Sequence, residues 1–302
     1  MNGMKKHSVI IGSGGRLGSA LQSACSSRHQ VTGLTRGDLD LQDLESIETV
    51  LGKLEYDTLW LTAALTDVDY CETHPEQTEI VNTRAAKVIA EISAGKKAQV
   101  ILFSTDYVFD GTKNSPYVEE DVTHPLNVYG RSKQQAEQQV LEANRQNLVI
   151  RLSWLFGHGK PGFPDWAIHQ AMASDSLSVV SDRKSSPTFT HDVIAALEPL
   201  IHGKLGMSGI LHLCNQGVCT WQEWAQHCVD CAVENGLPVL AHTVDNCRMS
   251  DIGKFTAARP AYSAMSTARY ESLGGKPLRH WKEAVEYYVR EQLAPQLKSQ
   301  PL

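Results

Sequence analysis

With 302 residues, 42% apolar and 21% charged, the chain is long enough for one large α/β domain, or for such a domain with a smaller lobe attached. A net charge of −6 and a pI near 6.1, with no long basic run, argue against general affinity for nucleic acid or an anionic membrane surface, so any anionic ligand must be met locally. Seven cysteines scattered without a spaced framework suit a reducing compartment and a cytoplasmic protein.

The opening MNGMKKHSVIIGSGG sets lysines before only three apolar residues, Val9 to Ile11, which is too short for a signal peptide or a membrane span. Short β-rich runs then recur: SVIIG, HQVTGL, DTLWLTA, AQVILFS and NLVIRLS. Between them apolar residues fall at helical spacing, as in Leu44, Ile47, Leu51 and Leu54, or Val81, Ala85, Val88 and Ile92. Strand and helix in alternation predict parallel strands with right-handed crossovers, hence a doubly wound, Rossmann-type α/β sheet. After about Ser153 the texture changes to glycine, proline and polar loops (GHGKPGFPD, SDRKSSPTFTHD). The expected division is a dinucleotide-binding region over 1–152 and a smaller substrate-binding lobe over 153–302, some of whose elements return to the sheet. Ligands of such sheets collect at the carboxyl ends of the strands.

The first chemical signal follows the first strand. In IIGSGGRLGSAL, Gly12, Gly15 and Gly18 permit a tight turn and close backbone approach, and the helix after them offers free N–H groups to a pyrophosphate. The competing reading is a glycine turn made only for packing, but the strand before it and the helix after it favour a dinucleotide. At the end of the second strand, in VTGLTRGDLDL, Arg36 stands where a cation meets the 2′-phosphate of NADP, and Arg16 lies within the glycine turn. NADPH is favoured over NADH on these residues. Asp40 offers the contrary reading, an acid near the adenine edge.

The fourth run ends in Ser104, Thr105 and Asp106, and the two hydroxyls either donate to a substrate carbonyl in the cleft or cap the loop after the strand. Next comes PLNVYGRSK, with Tyr129 and Lys133 one helical turn apart on one face. A nearby ammonium, joined by the positive ring of an oxidised nicotinamide, favours a phenolate, so the pair predicts a Tyr129 value drawn down toward neutrality, suited to passing a proton to a carbonyl oxygen; the competing reading is a tyrosine that caps or packs the helix beside a solvated lysine. Near the C-terminal end, Cys228 and Cys231 form a CxxC in WQEWAQHCVDCAVENG. That stretch reads as an amphipathic helix with no second CxxC to complete four metal ligands, so core packing is expected.

Glycine turn, strand-end Ser/Thr and YxxxK, in that order, resemble the extended short-chain dehydrogenase/reductase superfamily. More narrowly, AALTDVDYCETHPEQTEIVN, STDYVFDGTKNSPYVEEDVTHPLNVYGRSK, VIRLSWLFG, SSPTFTHDV and RPAYSAMST resemble segments of the dTDP-4-dehydrorhamnose reductase family, over nearly the full length. The resemblance implies reduction of the 4-keto group of a nucleotide-linked 6-deoxy sugar by NADPH or NADH. It implies Tyr129 as general acid, Lys133 on the nicotinamide ribose and Thr105 on the carbonyl oxygen. It also implies Gly12, Gly15, Arg16, Leu17, Gly18, Ala63, Ala64, Thr66 and Ser104 along the cofactor, Asp40 and Leu41 near adenine, and Asp106, Trp154 and Arg259 on the sugar-nucleotide side. For Trp154 core packing competes with that role, and for Arg259 a structural ion pair.

Dehydratases of the superfamily carry a glutamate after the strand-end aspartate, where this chain has Tyr107, so elimination is disfavoured. Epimerisation uses the same Tyr and Lys and stays open, as does a non-catalytic, NADP-binding role like that of the methionine adenosyltransferase regulatory beta subunit. Reductases of this family often have glutamine where Arg16 stands. Some use magnesium at carboxylates that help dimer contacts; no local carboxylate cluster marks such a site, the metal is left unassigned, and a homodimer is allowed.

Overall fold

Alternating side chains along a strand point to opposite faces of its sheet, and the chain exploits this on a sheet buried from both sides. The computed structural model describes residues 6–299. Its first strands are β1 (His7–Ile11), β2 (Gln30–Leu34), β3 (Thr58–Leu61), β4 (Gln99–Thr105) and β5 (Leu148–Leu152), coinciding with the expected runs. Met1 to Lys5, including part of the stretch read for a leader, lie outside the described residues.

Val9, Ile11, Leu59, Leu61, Val100, Leu102 and Val149 face one way, under α2 (Leu44–Gly52) and the helices Ala85–Gly95 and Val128–Ala143. Ile10, Trp60, Ile101, Phe103, Leu148 and Ile150 face the other way, under α1 (Arg16–Ser26) and the helix Thr190–Ile201. Two small differences from the expected helices stand out. Leu54 falls just beyond α2, and Val81 lies in a π-turn, Glu79–Arg84, that precedes the α-helix carrying Ala85, Val88 and Ile92.

A sixth strand, Gly209–His212, joins the sheet beside β5, and the order is Gly209–His212, β5, β4, β3, β1, β2 with every pairing parallel. The chain order reverses at β1, with β2 on one side and β3 on the other. That switch point opens a crevice beyond the carboxyl ends of the strands.

Residues after Ser153 add a second buried cluster in which Phe156, Ile168, Phe189, Trp224, Val229, Trp281 and Tyr288 meet, carried largely by the helices Phe163–Ala173, Trp221–Glu234 and Trp281–Tyr288. Cys228 and Cys231 belong to this cluster. Burial raises both thiols, that of Cys231 to about 12, so they pack as small apolar groups. Among the described residues no helix is long and apolar enough to cross a membrane.

Candidate active site

The glycine turn after β1 is shaped by contacts that forbid side chains. Gly12 has φ +90°, and a Cβ there would lie 2.7 Å from Thr62 Oγ1 and 2.8 Å from the Ala63 nitrogen. A Cβ on Gly18 would lie 2.1 Å from the Gly12 carbonyl oxygen. Gly15 caps α1 without a side chain, so the first-turn N–H groups of that helix have no side-chain oxygen of the cap to bond. The turn borders a cleft of about 730 Å³ that Gly12, Gly15, Leu17 and Gly18 line.

At the far end of this cleft, Arg36 and Asp40 approach to 3.6 Å as a solvent-exposed pair, with Leu41 beside them. The neighbouring Asp38 is occupied by the Thr35 nitrogen and hydroxyl, at 2.9 and 2.7 Å, which hold its carboxyl below the usual range. Ala63, Ala64 and Thr66 line the cleft beyond β3. Asn82 pins their loop: its Oδ1 accepts from the Leu65 nitrogen at 2.8 Å, and its Nδ2 donates to the Leu65 carbonyl and Ser132 Oγ, both at 3.0 Å. Asn82 was not among the expected site residues. An asparagine inside an otherwise helical run is the signal that marks it, and here it sits in the π-turn, a device frequent at functional sites.

The strand-end group comes next. Ser104 Oγ is buried and, among the described residues, has no hydrogen-bond partner. An orphaned hydroxyl beside a cradle that tolerates no Cβ suits a polar ligand such as a dinucleotide, and the residues present fit that cofactor. Asp106, only 2% exposed, is surrounded by hydroxyls: Oδ2 accepts from Ser263 at 2.5 Å and Ser185 at 3.1 Å, and Oδ1 accepts from Thr105 at 3.2 Å. Burial raises the Asp106 carboxyl to about 6 against the pull of these bonds.

This arrangement fixes the polarity of Thr105. Its hydroxyl proton is shared between Asp106, at 3.2 Å, and the Tyr129 oxygen, and one lone pair accepts the Tyr107 N–H at 3.2 Å, so an ionised Asp106 competes with the cleft for that proton. Once Asp106 carries a proton, the shared bond can reverse and Thr105 becomes a donor. Ketone reduction by the wild type is therefore expected to lose several-fold in kcat/KM, about 1 kcal/mol, as pH rises through about 6. A pH profile of Asp106→Asn lacking that inflection supports the assignment, and an unchanged inflection refutes it.

Tyr129 and Lys133 sit in the first turns of the helix Val128–Ala143. That helix is started by Asn127, whose Oδ1 accepts from the Gly130 nitrogen at 2.7 Å, while Glu72 accepts from the Val128 nitrogen at 2.9 Å. Both side chains line the cleft, and the Tyr129 ring meets Tyr107 edge-on at 6.0 Å. The expected depression of the phenol is not present. Burial raises Tyr129 above the ordinary phenol value, opposed by the Thr105 hydroxyl and reinforced by the Asp106 charge. Lys133, 3% exposed, is instead the group drawn down, to about 8, because burial penalises its charge. Glu137, one turn on, opposes that shift, but Arg151 occupies its carboxylate at 2.9 and 2.7 Å.

Trp154 lines the cleft opposite, in a left-handed conformation with φ +44°, a costly state for an aromatic residue. Its ring stacks on Trp224 at 5.5 Å and 9°. Two expected residues sit differently. Arg259 does not line the cleft: its guanidinium grips Asp69 at 2.6 and 3.2 Å and covers the Phe255 ring at 4.1 Å, the ion-pair alternative. Arg259 in turn holds the Asp69 carboxyl far below its usual range. Arg16 borders the cleft, but its guanidinium donates to the Leu155, Gly157 and Lys160 carbonyls of the segment after β5. Among the described residues no group of three or more His, Cys, Asp or Glu side chains is placed to hold a metal.

A model of the family described as RmlD substrate binding domain matches residues 6–294. The chain is 34% identical to the spore coat polysaccharide biosynthesis protein SpsK of Bacillus subtilis, covering 94% of this chain and 96% of that one. It is 33% identical to a dTDP-4-dehydrorhamnose reductase of Mycolicibacterium smegmatis, covering 94% and 85%. Among solved structures, the dTDP-4-dehydrorhamnose reductase of Bacillus anthracis in complex with NADP is 28% identical and superposes with a TM-score of 0.88 over 96% of this chain and 100% of that one.

Proposed function

The chain belongs to the RmlD substrate binding domain family, and from that premise we propose that it is an NAD(P)H-dependent oxidoreductase reducing the 4-keto group of dTDP-4-dehydro-L-rhamnose to give dTDP-L-rhamnose. The observation that carries this reading is the convergence of Thr105, Tyr129 and Lys133 on the same cleft as the Gly12–Gly18 cradle.

Gly12, Gly15, Leu17 and Gly18 would hold the cofactor's pyrophosphate against the start of α1, with Ala63, Ala64, Thr66 and Ser104 along its length and Arg36, Asp40 and Leu41 at its adenine end. When bound, a reduced nicotinamide supplies the hydride. Tyr129, kept protonated by burial, holds the proton that the 4-oxygen takes up. Lys133, 3% exposed and lining the cleft, is available to the nicotinamide ribose. Thr105 steadies the oxygen, with its polarity set by Asp106, and Trp154 offers a ring face to the sugar nucleotide. The region up to about residue 152 thus serves the cofactor, and the part after it closes the substrate side. Seven unpaired cysteines suit work in the cytoplasm.

The test supplies dTDP-4-keto-6-deoxy-L-mannose, made in situ, with NADPH or NADH. Oxidation of the cofactor with dTDP-L-rhamnose as product supports the proposal. Stoichiometric NADPH binding without turnover on this sugar contradicts it.

A further inference from the structure

We infer that Arg16 is a positioning residue that ties the cofactor's glycine turn to the backbone holding Trp154, so that cofactor binding and sugar-nucleotide binding are energetically coupled. Arg16 is the first residue of α1, directly after Gly15. Its Nη1 donates to the Leu155 carbonyl at 2.9 Å, its Nε to Gly157 at 3.2 Å, and its Nη2 to Lys160. A planar guanidinium holds the three carbonyls through three nitrogens spread across a rigid fork, whereas a lysine's three donors radiate from one nitrogen.

The segment it holds begins with the strained residue. Trp154 precedes Leu155, and its φ of +44° persists only because its neighbours leave no alternative. On one side Ser153 Oγ donates to the Ser186 carbonyl at 2.6 Å, and the Thr188 nitrogen donates to the Trp154 carbonyl at 3.2 Å. Arg16 supplies the other side. The contact is also close: the Cβ that Gly159 lacks would sit 3.7 Å from the Arg16 Cα, so the 157–160 turn lies directly over the start of α1.

Two sites are thereby joined by one side chain. A ligand on the first turn of α1 bears on the backbone of Arg16, and the guanidinium bears on the carbonyl of Leu155, the residue after Trp154, whose side chain lines the same cleft. Coupling of this kind is reciprocal. Because the guanidinium is committed to carbonyls, Arg16 is not a selector of the NADP 2′-phosphate.

This inference rests on the proposed sugar-nucleotide site, so its test carries a reading that does not need that site. Calorimetry of dTDP binding, with and without saturating NADP⁺, is run on the wild type, Arg16→Gln and Arg16→Lys. The wild type is expected to bind dTDP about 5- to 10-fold more tightly with NADP⁺ present. Arg16→Gln should bring that ratio to within about twofold while keeping its NADP⁺ over NAD⁺ preference, and Arg16→Lys should restore only part of it. In parallel, tryptophan emission is recorded on adding NADP⁺ alone. The part of the change that Trp154→Phe removes should also vanish in Arg16→Gln.

Coupling retained in Arg16→Gln overturns the inference, as does a variant that loses NADP⁺ preference with coupling intact. If dTDP fails to bind the wild type, the proposed function is the casualty, and the emission experiment still decides the role of Arg16. Should Arg16→Gln fold poorly, Gly162→Ala serves in its place, since its Cβ would press on Arg16 Nη2 at 3.1 Å and disturb the same contacts from the other side.

Discussion

Tyr129→Phe is expected to lower kcat for ketone reduction by about 10²- to 10⁴-fold, the usual contribution of a positioned proton donor, while NADPH affinity changes by less than about threefold. The substitution removes one oxygen and leaves the ring that meets Tyr107 edge-on, and the caps from Asn127 and Glu72 are untouched, so the helix start should stay in place. Burial has a directional consequence. With the phenol raised above its ordinary value, Tyr129 stays protonated through the neutral range and suits reduction, which consumes a proton. The reverse oxidation needs the phenolate, so its rate should climb as pH rises above neutrality. Steady-state kinetics in both directions, with fluorescence titration of NADPH, read both parts; a Phe variant retaining a tenth or more of kcat removes Tyr129 from the proposed role.

Gly18→Ala should be as damaging by a different route. The new methyl would lie 2.1 Å from the Gly12 carbonyl oxygen, 2.8 Å from its carbon and 2.9 Å from Thr62 Oγ1. Two of these are backbone atoms, and the Thr62 hydroxyl is itself held by the Ile11 carbonyl at 2.8 Å. The glycine turn and the first turn of α1 must therefore separate, at a cost of about 1–3 kcal/mol or more. The expected result is a melting temperature lower by several degrees and NADPH binding weakened by about 100-fold, because the N–H groups leave the pyrophosphate position. Gly14→Ala is the control for stability: its Cβ would meet only Thr35 Cγ2 at 3.8 Å, so the melting temperature should hold. Differential scanning fluorimetry and calorimetry distinguish the two variants, and a Gly18→Ala protein that binds NADPH normally would show that the turn does not cradle it.

Legibility in the sequence followed the range of the interactions. The five strands before Ser153 announced themselves through local alternation, and Tyr129 with Lys133 through spacing within one helix. Arg16 and Arg259 were visible as cations, but their partners were not, since Leu155 is 139 residues from the first and Asp69 is 190 from the second. The same distance hid the Ser185 and Ser263 hydroxyls that surround Asp106. Protonation was the least legible property. Spacing alone set a cation beside a phenol, whereas burial, which spacing does not reveal, raises Tyr129 and lowers Lys133.

The most direct measurement is transfer of deuterium from NADPH carrying deuterium at both nicotinamide C4 positions to the sugar of dTDP-4-keto-6-deoxy-L-mannose, read by NMR and mass spectrometry. Hydride reduction in this cleft predicts one deuterium at sugar C4 of dTDP-L-rhamnose per NADPH consumed, formed about 10²- to 10⁴-fold more slowly when Tyr129 is phenylalanine. Sugar altered at another carbon with no deuterium gained and no net NADPH consumed would contradict it and point to epimerisation.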